Sequence, residues 1–261
     1  MIFIPLFLFL IGLLVGSFLN VVIIRLNTGR TFVRGRSSCD VCARTIAWYD
    51  LLPVVSFLGL GGKCRHCKGQ ISFQHPIVEL VTAIAFLQLY ALIVLPTPFV
   101  FGVWVTYIGA LVALSFLIVI FVYDLRHKII PDTVVYPLII LSVLAVLWRN
   151  LPAPALIGQE LFIGVAVALP FFCLWYFSKG RLMGFGDVKL ALAFAWLVGP
   201  SQATAALIMS FWIGGVLGLF LLALTKKYKM RSEVPFAPFM ILGLAIAVCF
   251  HITLHTFFPY I

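Results

Sequence analysis

From Ile2 to Ile24 the chain carries no charged residue, and further apolar stretches follow near residues 76–95, 99–123, 133–148, 161–178, 188–199, 202–225 and 235–255. A bilayer-spanning helix needs about 20 apolar residues. Lipid offers no partner to backbone polar groups, so only helices and closed barrels cross it. The expected fold class is therefore an all-α polytopic membrane protein with about eight transmembrane helices. The stretch 188–199 is short and is broken at Gly199-Pro200, so it reads as a partial span. With 64% hydrophobic and 10% charged residues, an ordinary soluble domain is excluded, since those carry about 25% charge. No basic segment precedes Ile2–Ile24 and no small-residue cleavage motif follows, so it reads as a retained helix rather than a signal peptide.

The net charge of +10 belongs to the loops. With the N-terminus outside, alternation puts eight cations inside within residues 25–75. Arg126 and Lys128 follow, then Lys179, Arg181 and Lys189, then Lys226, Lys227, Lys229 and Arg231, and only Arg149 falls outside. That asymmetry is the positive-inside pattern. It makes membrane lipids the surroundings of the chain and removes the case for a nucleic-acid partner, because no basic soluble face interleaved with aromatics remains. Gly12-x-x-x-Gly16 and Gly214-x-x-x-Gly218 either allow close helix contact or face lipid.

Residues 25–75 form the one substantial polar block, between a first helix at 1–24 and an apolar region at 76–261. The block holds Cys39-x-x-Cys42 and Cys64-x-x-Cys67, spaced like a four-cysteine zinc site. In the cytosol, where the topology puts them, thiols stay reduced, which favours zinc over disulfides. Four thiolates close a tetrahedral ion and leave no open position, so the zinc is structural. A block of this size has little core of its own and gains from such a staple. Neither His66 nor His75 is needed as a ligand. Cys173 and Cys249 read as buried small hydrophobes.

Ionisable groups at membrane depth are functional-site candidates. Asp124 ends one apolar run, and Asp187 lies in Met183-Gly184-Phe185-Gly186-Asp187-Val188-Lys189-Leu190 at the start of another. Both fall at inside helix ends, so they can meet at one depth. Two close carboxylates share one proton, which gives a general base and a general acid in one pair. Gly184 and Gly186 permit tight turning and close backbone approach. Asp187 alone could be a simple N-cap, and Asp132 after Pro131 reads as one. Lys189 either pairs with a carboxylate or sits at the interface, and His127 reads as solvated. Glu79, a few residues into an apolar run, is either a partner for a cation such as Arg25 or a functional group.

These residues together resemble the bacterial type IV prepilin peptidases, a Gly-x-Gly-Asp intramembrane aspartyl peptidase family. The likeness runs from Gly12 to Phe239. It rests on Gly16-Ser17-Phe18-Leu19-Asn20 through Arg25-Leu26, the two C-x-x-C pairs, Pro76-Ile77-Val78-Glu79, Asp124 with Ile130-Pro131-Asp132, Met183 to Leu190, and Val234 to Phe239. The resemblance implies an enzyme of the bacterial inner membrane that cuts the basic leader of prepilins or pseudopilins after glycine at the cytoplasmic face. It implies that Asp124 and Asp187 are the catalytic pair, supported by Gly184, Gly186 and Lys189. It also implies N-methylation of the new N-terminus from S-adenosylmethionine, with Asn20, Arg25 and Glu79 as candidates for that step. Asn27, Asp40 and Ala237 depart from the family pattern. A cation transporter and a non-catalytic assembly scaffold are the competing classes. Transporter carboxylates belong near midplane on broken helices, whereas these two sit at helix ends.

Overall fold

The computed structural model describes residues 3–29, 31, 35, 37–39, 41–224 and 235–258. Arg30, Arg34, Arg36, Asp40, Val234 and the cations Lys226, Lys227, Lys229 and Arg231 lie outside the described residues. The helices are α1 (Phe3–Arg25), α2 (Val55–Gly59), α3 (Gln74–Leu89), α4 (Phe101–His127), α5 (Asp132–Arg149), α6 (Ala155–Ser178), α7 (Phe185–Val198), α8 (Pro200–Leu224), α9 (Ala237–Cys249) and α10 (Leu254–Phe257). A π-helical turn, Tyr90–Val94, extends α3. Among the described residues β structure is limited to isolated bridges.

The expected apolar segments all fold as helices, and among the described residues six are long enough to cross a membrane: α1, Gln74–Val94, α4, α5, α6 and Pro200–Phe220. The count of eight spans is therefore approximate. The helix α7 has 14 residues, which is about 21 Å at 1.5 Å per residue. It tolerates that length because protein surrounds it; Leu190, Ala191, Ala193, Phe194 and Ala195 are fully buried.

The chain divides into two compact units, Met1–Val119 and Ile120–Ile261, with the boundary inside α4. In the first, α1 packs along α3. A Cβ on Gly12 would lie 2.5 Å from the Ala83 Cα, and one on Gly16 would lie 2.7 Å from the Glu79 Cα. The glycines of the first G-x-x-x-G pair thus face the partner helix and not lipid. Tyr90, Val94, Leu8 and Tyr107 form a buried cluster, and the Tyr107 hydroxyl donates to the Phe86 carbonyl at 3.1 Å.

In the second unit α7 lies among α5, α6, α8 and α9. It runs parallel to α5. Lys189 near its start meets Asp132 at the start of α5, and Arg149 at the end of α5 donates to Trp196 and Leu197 carbonyls at 2.9 and 3.0 Å. Arg149 also pairs with Glu160 of α6. The cation expected to stand alone outside is thus the C-terminal cap of the buried helix, a position the helix dipole favours. Gly164 opens a slot in α6 for the Trp196 indole, which donates to the Leu161 carbonyl at 3.1 Å. Gly243 brings α9 onto α8, where an added Cβ would meet the Ala206 carbonyl at 2.4 Å. Of the second G-x-x-x-G pair, Gly214 touches Phe239 while Gly218 faces open space. Cys173 and Cys249 are only partly buried.

Candidate active site and metal centre

Asp187 is the third residue of α7, and Gly184 is its N-cap with extended backbone (φ −74°, ψ 151°). The Gly184 N–H donates to Asp187 Oδ2 at 3.2 Å. Asp187 is therefore not the N-cap itself but reaches back to satisfy one of the free donors of the first turn. Neither glycine has a positive φ. Gly184 has room for a side chain, its nearest neighbour being Asp187 Oδ2 at 3.6 Å. Gly186 has none, because a Cβ there would lie 2.8 Å from the Ile130 Cβ. The requirement is close approach by a neighbouring loop of this chain, not a tight turn.

Asp124 sits one turn from the end of α4, with 4% of its surface exposed. The backbone N–H of Ala237, the first residue of α9, is aimed at its carboxylate. Its Oδ2 is buried with no hydrogen-bond partner among the described residues. Asp187 is also buried, and the charge on Asp124 is felt at Asp187. Asp187 thus lies in the first turn of α7, where the dipole favours negative charge, and Asp124 lies in the last turn of α4 beside the start of α9. Both aspartates that the sequence singled out are buried in the same unit, within range of each other's charge.

Lys189 points elsewhere. Its Nζ lies 2.6 Å from Asp132 Oδ1, over the Tyr136 ring at 4.6 Å and near the Phe185 ring at 5.1 Å. Two residues along a helix put side chains on different faces, so the ammonium faces α5 and its carboxylate partner is Asp132. Pro131, not Asp132, is the N-cap of α5, and no side chain caps that end. His127 lies against the Tyr123 ring, 4.4 Å between centroids.

The four cysteines form two similar knuckles. Cys39 N–H donates to the Arg44 carbonyl and Ala43 N–H to Cys39; Cys64 N–H donates to Gly69 and Lys68 N–H to Cys64. Ala43 and Lys68 occupy matching left-handed positions (φ 56° and 59°). All four Sγ atoms lie within 4.8 Å of one another, and Cys39 and Cys67 are 3.8 Å apart. A tetrahedral zinc with Zn–S near 2.3 Å requires sulfurs about 3.8 Å apart. The donor set and spacing fit that ion, and the cysteines are free thiols rather than disulfides. Backbone N–H groups of Cys67 and His66 aimed at its sulfur pull the Cys64 thiol down to about 7, whereas at Cys67 the Gly69 N–H pulls the thiol down but burial and the three neighbouring cysteines push it up to about 11. His66 instead bonds Arg44 at 3.3 Å.

The remaining candidates have their polar atoms engaged. Asn20 donates to the Gly16 and His75 carbonyls at 3.3 and 3.1 Å and accepts from Gln74 at 3.0 Å. Glu79 Oε2 accepts the Val54 N–H at 2.8 Å. Arg25 donates to the Thr31 carbonyl at 2.9 Å. Asn20 ties α1 to the start of α3, and Glu79 holds the loop at Val54 against α3. Asn27, after α1, has φ 59°, a conformation closed to the proline common there in the family.

Sequence reasoning did not find Ile130 as the neighbour that demands Gly186, the Ala237 N–H as the donor to Asp124, or Val54. The first two lie in quoted motifs, yet a backbone donor and a steric neighbour leave no residue-type signal.

Two family domains match the chain. The Bacterial Peptidase A24 N-terminal domain covers residues 10–93, and the Type IV leader peptidase family covers residues 111–219. A prepilin leader peptidase/N-methyltransferase of Bacillus subtilis is 30% identical, over 96% of this chain and 96% of that protein. Proteins of the same name match from Pseudomonas aeruginosa, at 31% identity over 92% of this chain and 88% of the relative, and from Myxococcus xanthus, at 31% over 87% and 66%. No solved structure matches. The chain belongs to the type IV leader peptidase family.

Proposed function

We propose that the chain is a membrane-embedded aspartyl endopeptidase whose catalytic pair is Asp124 and Asp187. The observation that carries this reading is the pairing of two buried carboxylates on separate helices, each within electrostatic reach of the other. Two such groups hold one proton between them. The ionised carboxylate takes a proton from water as the water oxygen attacks the peptide carbonyl carbon. The neutral one donates its proton to the carbonyl oxygen. Collapse of the resulting gem-diol breaks the C–N bond: one hydroxyl returns its proton to the pair as the carbonyl re-forms, and the departing nitrogen takes up the pair's other proton. The roles belong to the dyad and are assigned to neither residue singly. The unpartnered Asp124 Oδ2 supports this reading, since a bound water or carbonyl would supply what it lacks.

The substrates on this reading are prepilins or pseudopilins, cut after glycine behind a basic leader at the cytoplasmic face of the bacterial inner membrane. The relatives' names and the loop cations support it. Residues 25–75 form the cytoplasmic zinc-binding block, with Cys39, Cys42, Cys64 and Cys67 holding a structural zinc. The second activity is N-methylation of the new N-terminus, for which S-adenosylmethionine supplies the methyl group. Asn20, Arg25 and Glu79 serve that activity by holding the block in place. The test uses pure protein in detergent with a prepilin-like peptide. Cleavage at the glycine is expected, and its absence from folded, zinc-loaded protein contradicts the reading. Methylation of already cleaved peptide by Asp187→Asn protein is expected to persist, and its loss would mean one shared site.

A further inference from the structure

The segment between the two cysteine knuckles does not look like part of a water-soluble domain. Residues 46–60 read Ile-Ala-Trp-Tyr-Asp-Leu-Leu-Pro-Val-Val-Ser-Phe-Leu-Gly-Leu, with one charge, Asp50. Their apolar side chains are turned outward: Trp48 is 76% exposed, Val55 66% and Leu58 71%, with Tyr49, Leu51 and Leu52 also exposed. Such a contiguous patch marks a surface that something covers.

Its depth identifies the cover. Val54 donates its N–H to Glu79, and Glu79 lies five residues into α3, which begins at Gln74. At 1.5 Å per residue that is about 8 Å below the start of the helix. On α1 the same level is Gly16, whose added Cβ would strike the Glu79 Cα. The first charge on α1 is at Arg25, and from Gly16 to Ile24 the helix rises about 12 Å without one. The loop is therefore pinned about 8 Å inside the start of α3 and about 12 Å before the first charge of α1, and the one carboxylate at that level, Glu79, is the group that binds it.

The backbone meets the demand that lipid makes, which is internal satisfaction of its polar groups. Val55 donates to Pro53, Ser56 to Leu52, Leu58 to Val54, Leu60 to Ser56 and Gly62 to Phe57. The Val54 N–H, at the centre of a strained γ-turn (φ 60°, ψ −49°), goes to Glu79. Asp50 is neutralised by Arg65, which bonds both carboxylate oxygens at 3.0 and 2.7 Å and lies over the Tyr49 ring at 5.3 Å. Trp and Tyr beside cations are the composition of a membrane–water boundary, and Arg44, Lys63 and Lys68 complement anionic headgroups.

We infer that residues 46–60 are an interfacial membrane anchor: the loop between the knuckles inserts its Trp48, Val55 and Leu58 side chains among lipids, and Glu79 holds it at that depth. The cysteine block is thereby docked on the bilayer rather than suspended above it. The test compares wild-type and Trp48→Phe protein, both full-length and zinc-loaded, in vesicles of phosphatidylethanolamine and phosphatidylglycerol. The difference in their fluorescence is the Trp48 signal. Doping the vesicles with phosphatidylcholine brominated near the headgroup end of its chains should reduce that signal about twofold, and aqueous acrylamide should barely affect it. Quenching by acrylamide with no effect of bromolipid would place Trp48 in water and overturn the inference. Shielding from both quenchers would mean that another protein surface covers the patch, and would overturn it equally.

Discussion

The N–H of Ala237 at the start of α9 is aimed at the Asp124 carboxylate, so a free donor of that helix end faces one half of the aspartate pair. Ala237 is fully buried, and alanine stands here where the family commonly has glycine. Both residues present the same N–H. Ala237→Gly should therefore retain cleavage within about threefold, at a stability loss of about 0.5–1 kcal/mol. Ala237→Leu overpacks the site and moves the helix end, with an expected loss of about 1–3 kcal/mol and at least tenfold in turnover. Thermal melts beside cleavage rates check both; equal activity in the two variants would separate the α9 terminus from function.

Gly186 is held to glycine by Ile130. Gly186→Ala forces either that loop or the first turn of α7 to move, and Asp187 is the next residue. Cleavage should fall by about tenfold or more, since small misplacements of a catalytic group carry large penalties. Adding Ile130→Gly removes the clashing atoms and should recover part of the rate. A double variant no better than Gly186→Ala alone would assign the defect to something other than this contact.

Lys189 pairs with Asp132, whose side chain is 60% exposed. Fully exposed pairs are worth about 0–1 kcal/mol, but the Lys189 side chain is only 13% exposed, so loss of its partner strands a mostly buried ammonium. Lys189→Met is expected to lower cleavage less than tenfold and to shift the melting temperature little, and Asp132→Asn to lower the melting temperature more than Lys189→Met does. Exchanging the two charges, Lys189→Asp with Asp132→Lys, should perform at least as well as either single change. Complete loss of cleavage in folded Lys189→Met protein would instead make the ammonium part of the chemistry.

The knuckles lead to a metal prediction. Elemental analysis should find about one zinc per chain, lost when all four cysteines become serine. After chelation, hydrogen exchange should quicken around residues 39–45 and 63–70 while α5, α7 and α8 keep their protection. Unchanged zinc content in the four-serine protein would remove these residues as the ligands.

Much of this was legible because ionisable and thiol side chains stand out in an apolar chain. Charge-free runs gave the helices, alternating cations matched the parallel course of α5 and α7, and Asp124, Asp187 and the cysteines were conspicuous by type. The rest depended on relations that side-chain type does not carry. Arg149 read only as the cation left outside, whereas it caps a buried helix. Asp132 read as a cap because it follows a proline at a helix start, but Pro131 holds that position. Glu79 read as a cation partner or a reactive group, yet it binds a backbone N–H of a loop distant in sequence. The length of α7 was visible, but the burial that permits it is a property of four neighbouring helices.

The central claim is that Asp124 and Asp187 act as one catalytic unit. Asp→Asn keeps shape but cannot cycle the proton. The decisive measurement is the cleavage rate of a prepilin-like peptide by purified Asp124→Asn, Asp187→Asn and the double variant, each verified to be folded and zinc-loaded. Either single change should abolish detectable cleavage, and the double should be little worse than the singles, because residues that act as a unit are not additive. Near-normal cleavage by either single variant would contradict the account.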